Sequence, residues 1–205
     1  MAIRWLFLLI GAVLTILTLG GCSHRVPIAS GTIVFLGDSI TSGFGLEPQE
    51  AYPALIQIPG MTTLNLGVAG SKTQDGLQRL KDYFNNGGNP RLVVIALGAN
   101  DILQGGDPAM IHANLTSAIQ ECKSHNVPVL LCGIRIPWKF GKDSIFQQVA
   151  DEAHAPLMLD LMQGMQTQES LLQDDHMHPN TGGQKLIAQK IQAALLRSFS
   201  FADRK

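Results

Sequence analysis

The feature that most constrains the fold is an alternation. Short, continuous apolar runs recur along the chain, separated by stretches with helical periodicity. The runs are Ile33 to Leu36, Leu64 to Leu66, Leu92 to Leu97, Val129 to Cys132 and Leu157 to Leu159. A strand that is apolar throughout needs cover on both faces, which suits a parallel sheet between two helical layers. Between the runs, Ala51 to Ile58 reads as a short helix, and Gln74 to Phe84 aligns Leu77, Leu80 and Phe84. Asp107-Pro108 reads as a cap and first-turn proline, followed by an apolar face of Met110, Ile111, Leu115, Ala118, Ile119 and Cys122. Asp143 or Ser144 opens the next helix, and Thr181 opens the last, which runs to about Ser198. Alternating strands and helices with right-handed crossovers make a doubly wound α/β sandwich of three layers.

The N-terminus follows a different logic. Arg4 is the one charge among residues 1–21, and Trp5 to Leu19 is uncharged and apolar. That run fits a secretion signal and is short for a membrane span, which needs roughly 20 apolar residues. Leu19-Gly20-Gly21-Cys22 resembles the lipobox of bacterial lipoproteins, which implies lipid attachment at Cys22. The expected organisation is a signal peptide at 1–21, a tether at 22–30 and one folded domain at 31–200. The location implied is the bacterial cell envelope, anchored by lipid and facing the periplasm or exterior. Without Arg4 the remainder carries 14 basic against 16 acidic residues. No basic block exists to neutralise phosphates, so nucleic acid is not an expected partner. Cys122 falls late in a helix and Cys132 at the far end of the next strand, too distant for a bridge of at most about 7 Å, so two buried free thiols are expected. No metal-ligand spacing is present, and no metal or cofactor is expected.

Four segments carry chemistry. Gly37-Asp38-Ser39 follows the first strand, Gly70 follows the second and Asn100-Asp101 the third; Asp175 through His178 precede the final helix. In an open α/β sheet, groups placed after strands gather at one rim, where ligands bind. A serine hydroxyl needs an adjacent base to act as nucleophile. His178 is the candidate base for Ser39, with Asp175 to orient it; His176, next to Asp175, is the rival. The Ser39 N–H, the Gly70 N–H and the Asn100 amide are candidate donors to an oxyanion. Asn65, Gly67 and Asp101 read as scaffolding for these loops. The chain has no GxSxG elbow, which argues against an ordinary α/β-hydrolase.

As a set, the segments resemble the SGNH (GDSL-type) hydrolases, whose name lists the Ser, Gly, Asn and His matched by Ser39, Gly70, Asn100 and His178. The resemblance runs from about Thr32 to Leu196. It is nearest the bacterial arylesterase, thioesterase and lysophospholipase group, through Leu36-Gly37-Asp38-Ser39-Ile40, Ala51-Tyr52-Pro53-Ala54-Leu55, Ile134-Arg135-Ile136-Pro137 and His178-Pro179-Asn180. It implies a flavodoxin-like sheet in the order 2-1-3-4-5 and a serine esterase acting on carboxylic esters or thioesters. In relatives the loop after Pro137 flanks the acyl groove, so Ile136, Pro137, Trp138 and Phe140 are candidate substrate contacts. Position 176 departs from the group, which usually has a small residue there. A monomer acting on a small ester, thioester or lipid is expected. A carbohydrate or peptidoglycan O-acetylesterase, and a non-catalytic envelope binding lipoprotein, stand as alternatives.

Overall fold

The computed structural model describes residues 25–136, 144–165 and 167–201. In chain order the strands are β1 (Val26–Ile28), β2 (Gly31–Gly37), β3 (Met61–Gly67), β4 (Leu92–Ala96), β5 (Val129–Cys132), β6 (Leu157–Met158) and β7 (Phe199–Phe201). The helices are α1 (Ser39–Ser42), α2 (Tyr52–Leu55), α3 (Thr73–Asn85), α4 (Ala99–Leu103), α5 (Pro108–Ser124), α6 (Ser144–Ala153) and α7 (Thr181–Ser198).

Five strands form one parallel sheet in the order β3-β2-β4-β5-β6. Counted within the sheet this is 2-1-3-4-5, as the resemblance implies. Period-two geometry sends alternate residues of β2 to opposite faces. Val34 and Leu36 join Val93, Ile95 and Leu131 under Leu80, Ile111, Leu115, Phe146 and Val149, from α3, α5 and α6. Ile33 and Phe35 join Val94 and Leu130 under Tyr52, Ile187, Ile191 and Leu195, from α2 and α7. Each such side chain stabilises the fold by roughly 1.5–3 kcal/mol relative to exposure. The Leu77, Leu80, Phe84 stripe packs as expected, with Leu77 partly buried.

Three expectations change. β3 is an edge strand with Leu64 36% exposed, because among the described residues no strand pairs with its outer side. Met110 is exposed, since on α5 it lies about 100° around the axis from Ile111, outside the buried stripe. The segment read as a tether also contains structure. Val26–Ile28 pairs in parallel with Phe199–Phe201, burying Ile28 and Phe199. The Arg25 guanidinium donates to the Leu196 carbonyl at 2.8 Å. Strands of three residues are too short for a periodicity to announce. Cys122 and Cys132 are buried and unbridged, and burial pushes both thiols up to about 12.

Candidate active site

The carboxyl ends of β2, β3 and β4 lie side by side, with Gly37 paired to Gly67 on one side and to Ala96 on the other. The loops leaving these ends carry the candidate groups. After Gly37 the chain turns directly into α1. A Cβ on Gly37 would collide with the Thr41 side chain, so the close approach of strand and helix requires glycine. Asp38 caps α1, its Oδ1 accepting from the Ile40 N–H at 3.0 Å. Asp38 is 3% exposed, and burial pushes its carboxyl up to about 6. Ser39 is thereby the first residue of α1.

The second cluster sits on a short hairpin before α7. Leu172 bridges Pro179, the Gln173 N–H donates to the His178 carbonyl at 2.8 Å, and the Asn180 N–H donates to Leu171 O at 3.0 Å. The Asn180 side chain then caps α7, accepting from the Gly182 and Gly183 N–H groups. Within the hairpin, Asp175 Oδ1 accepts from the Met177 and His178 N–H groups, each at 2.9 Å, and Oδ2 lies 2.6 Å from His178 Nδ1. The His178 hydrogen bond holds the Asp175 carboxyl down at about 2. An ionised carboxylate can only accept, so Nδ1 carries the proton and Nε2 is left basic. Nε2 lies 3.0 Å from Ser39 Oγ. His178 is thus the histidine facing Ser39. His176, at φ 55°, also lines the cavity, but the Asp175 carboxylate is taken by His178 and the two backbone donors.

Gly70 adopts φ 79°, and a Cβ there would meet nothing within 4 Å. Glycine is needed for the backbone conformation and not for space. Asn100 sits in the first turn of α4, and its Nδ2 donates to the Ser71 carbonyl at 3.0 Å. A primary amide has two N–H donors, so one remains for the cavity. Asp101 is buried and accepts from the Thr73 N–H and hydroxyl at 2.9 and 2.8 Å, which locks the Asn100 loop to the Gly70 loop. Asn65 bonds both the Thr41 carbonyl and the Gly67 N–H, the scaffolding role its position suggests.

Several braces have no counterpart in the sequence reading. Arg79 of α3 donates to Gly37 O at 2.9 Å, Leu66 O at 2.9 Å and Ser71 Oγ at 3.1 Å, joining the Ser39 and Gly70 loops through one guanidinium. Its signal was a basic residue beside Leu80 on the helix edge nearest the sheet. Gln184, 1% exposed, donates to Ile40 O and accepts from the Tyr52 N–H, fixing α7 against α1 and α2. Gln173 Nε2 donates to Phe44 O and Pro179 O, and the Phe44 ring lies 4.8 Å from the His178 ring.

Ser39, Gly70, Asn100, Asp175 and His178 share the wall of a cavity of about 460 Å³. Phe44, Leu103, Ile134, Ile136, Met162, Leu172 and Met177 make much of the remaining wall apolar. Of the four residues expected to contact substrate, Ile136 lines this cavity. Pro137, Trp138, Phe140 and Cys22 lie outside the described residues. Among the described residues no group of three or more His, Cys, Asp or Glu is placed to hold a metal ion.

The chain matches the model of the GDSL-like lipase/acylhydrolase family over residues 35–186. It is 31% identical over 169 residues to thioesterase 1/protease 1/lysophospholipase L1 of Escherichia coli K12, covering 78% of this chain and 81% of that one. It is 29% identical over 188 residues to an arylesterase of Vibrio mimicus, covering 86% and 94%. The crystal structure of TesA superposes with a TM-score of 0.77 at 28% identity, covering 82% of this chain and 99% of that one. A match to the family model over most of the chain, with esterase relatives on either side of it, makes this protein a member of the GDSL-like lipase/acylhydrolase, or SGNH, family and a serine esterase.

Proposed function

We propose that Ser39 is the nucleophile of this esterase, His178 its base and Asp175 the group that orients the base. The observation that carries the reading is the chain of contacts from Asp175 through His178 to Ser39 Oγ, 2.6 and 3.0 Å long, at the wall of an apolar cavity. Ser39 Oγ attacks the ester or thioester carbonyl as Nε2 takes its proton. The Ser39 and Gly70 N–H groups and the free Asn100 amide hydrogen receive the oxyanion; one such donor contributes about 2.7–4 kcal/mol to the transition state. Collapse expels the alcohol or thiol, which regains the proton from His178. Water then attacks the acyl-enzyme with the same base and releases the acid. All five groups come from one chain, so a monomer suffices.

The apolar wall favours substrates with an acyl chain longer than acetyl. Cys22 carries a lipid, and the domain is held at a membrane of the bacterial envelope, facing out of the cytoplasm. Among the described residues no helix is long and apolar enough to cross a membrane. Hydrolysis of p-nitrophenyl esters from acetyl to palmitoyl tests the substrate class. A maximum beyond acetyl supports the reading; a preference confined to acetyl supports an O-acetylesterase instead.

A further inference from the structure

We infer that the mouth of the site faces away from the membrane that anchors the protein, so that its substrates are acyl esters dispersed in the aqueous phase and not lipids of the anchoring leaflet. The inference rests on the reading of Cys22 as the lipidated residue and of Ser39 as the nucleophile.

Two independent rulers place the anchored end opposite the site. Asn180 caps α7 directly after the His178 hairpin, and Arg25 is pinned to Leu196 in its last turn. From Thr181 to Leu196 the helix rises roughly 23 Å at 1.5 Å per residue. β2 gives a similar answer, because it starts at Gly31, close after β1, and reaches the rim of the site at Gly37, six residues of parallel strand later. At 3.3 Å per residue that is roughly 20 Å. The exit point is fixed, since β1 is paired to β7 with Ile28 3% and Phe199 1% exposed.

Between Cys22 and Arg25 stand Ser23 and His24. Even fully extended, those three Cα-to-Cα steps reach about 11 Å. The domain therefore cannot roll over to bring its mouth to the lipid surface without tearing β1 from β7. Phe44, Leu103 and Met177 are exposed at the mouth and would be natural membrane contacts. Held away from the anchoring surface, they are free to receive the acyl chain of a dispersed substrate.

The test compares the full-length lipidated protein with a variant carrying a 25-residue Gly/Ser insertion between Ser23 and His24, a flexible span of roughly 25–30 Å. Both are placed in phosphatidylethanolamine/phosphatidylglycerol vesicles. The probes are soluble 4-methylumbelliferyl butyrate and, held in the same bilayer, the longest methylumbelliferyl ester that the detergent-solubilised protein hydrolyses. The expected result is equal butyrate turnover and at least tenfold faster turnover of the bilayer ester by the lengthened variant. Equal rates on the bilayer ester would overturn the inference. Absence of lipid on Cys22 by intact-protein mass would overturn it through its premise. Absence of butyrate hydrolysis in both proteins would instead strike the esterase reading, and the inference with it.

Discussion

Arg79 shows how much of this site is set by a residue that touches no substrate. Its three donors hold carbonyls at the ends of β2 and β3 and the hydroxyl of Ser71, whose own carbonyl receives Asn100. A guanidinium makes this fork and a lysine cannot. Arg79→Lys should lower kcat about 10- to 100-fold with KM within twofold of wild type, since the proposed oxyanion donors shift while the apolar cavity is untouched. Steady-state kinetics checks this; a rise in KM at constant kcat would contradict it. Asp38 makes a second prediction. Its carboxyl titrates near 6 in the fold against 3.8 ordinarily, because burial disfavours the charge. The fold thus favours the protonated form. That stabilising contribution is full below pH 3.8 and is lost as pH rises through 6. Asp38→Asn keeps an acceptor for the Ile40 N–H and has no charge to bury. Relative to wild type, the variant should gain up to about 3 kcal/mol between pH 3.5 and pH 8, read by urea unfolding at both pH values. A difference independent of pH would contradict the assignment.

At the scale of elements, the loops after β2, β3 and β4 each depend on a local device: a glycine at Gly37, a positive φ at Gly70 and another at Gly98, where α4 opens before Asn100. Gly70→Ala forces a side chain into the left-handed region with no clash to relieve, at a cost of roughly 1 kcal/mol or more. Its expected signature is a fall in kcat of tenfold or more, with the melting temperature lowered by only a few degrees. The ladder of β1 and β7 behaves oppositely. Phe199→Ala should destabilise by about 3–5 kcal/mol, yet leave kcat on soluble esters within twofold, because the ladder lies at the far end of α7. These contrasts explain what the sequence made legible. Gly37-Asp38-Ser39, Gly70, Asn100 and Asp175 through His178 are local signals, each fixed by turn chemistry within a few residues. The buried strands are legible for the same reason, as runs of apolar residues. The pairing of Val26–Ile28 with Phe199–Phe201, the reach of Gln184 to Ile40 and the fork of Arg79 join residues distant in the chain. No short pattern encodes them. Met110 and Leu64 differ from the reading because which arc of a helix is buried and which strand lies at the sheet's edge are set by tertiary contacts.

At the scale of the whole molecule, the sheet gathers weak signals into one site. Its parallel strands end on the same rim, and α7 carries the His178 hairpin to that rim while Gln184 clamps the helix in place. The same α7 leads down to the end where β1 enters the fold, so the fold sets the N-terminal segment opposite the proposed chemistry. The claim on which the rest depends is that Ser39 forms the acyl-enzyme. The most direct measurement is labelling with a fluorophosphonate, the modified peptide identified by mass spectrometry, beside p-nitrophenyl butyrate turnover of wild type and Ser39→Ala. The expected result is one label per chain on Ser39, loss of turnover in step with labelling, and a fall of at least about 10³-fold in Ser39→Ala with the fold intact. A label on another residue, or full turnover by Ser39→Ala, would contradict it.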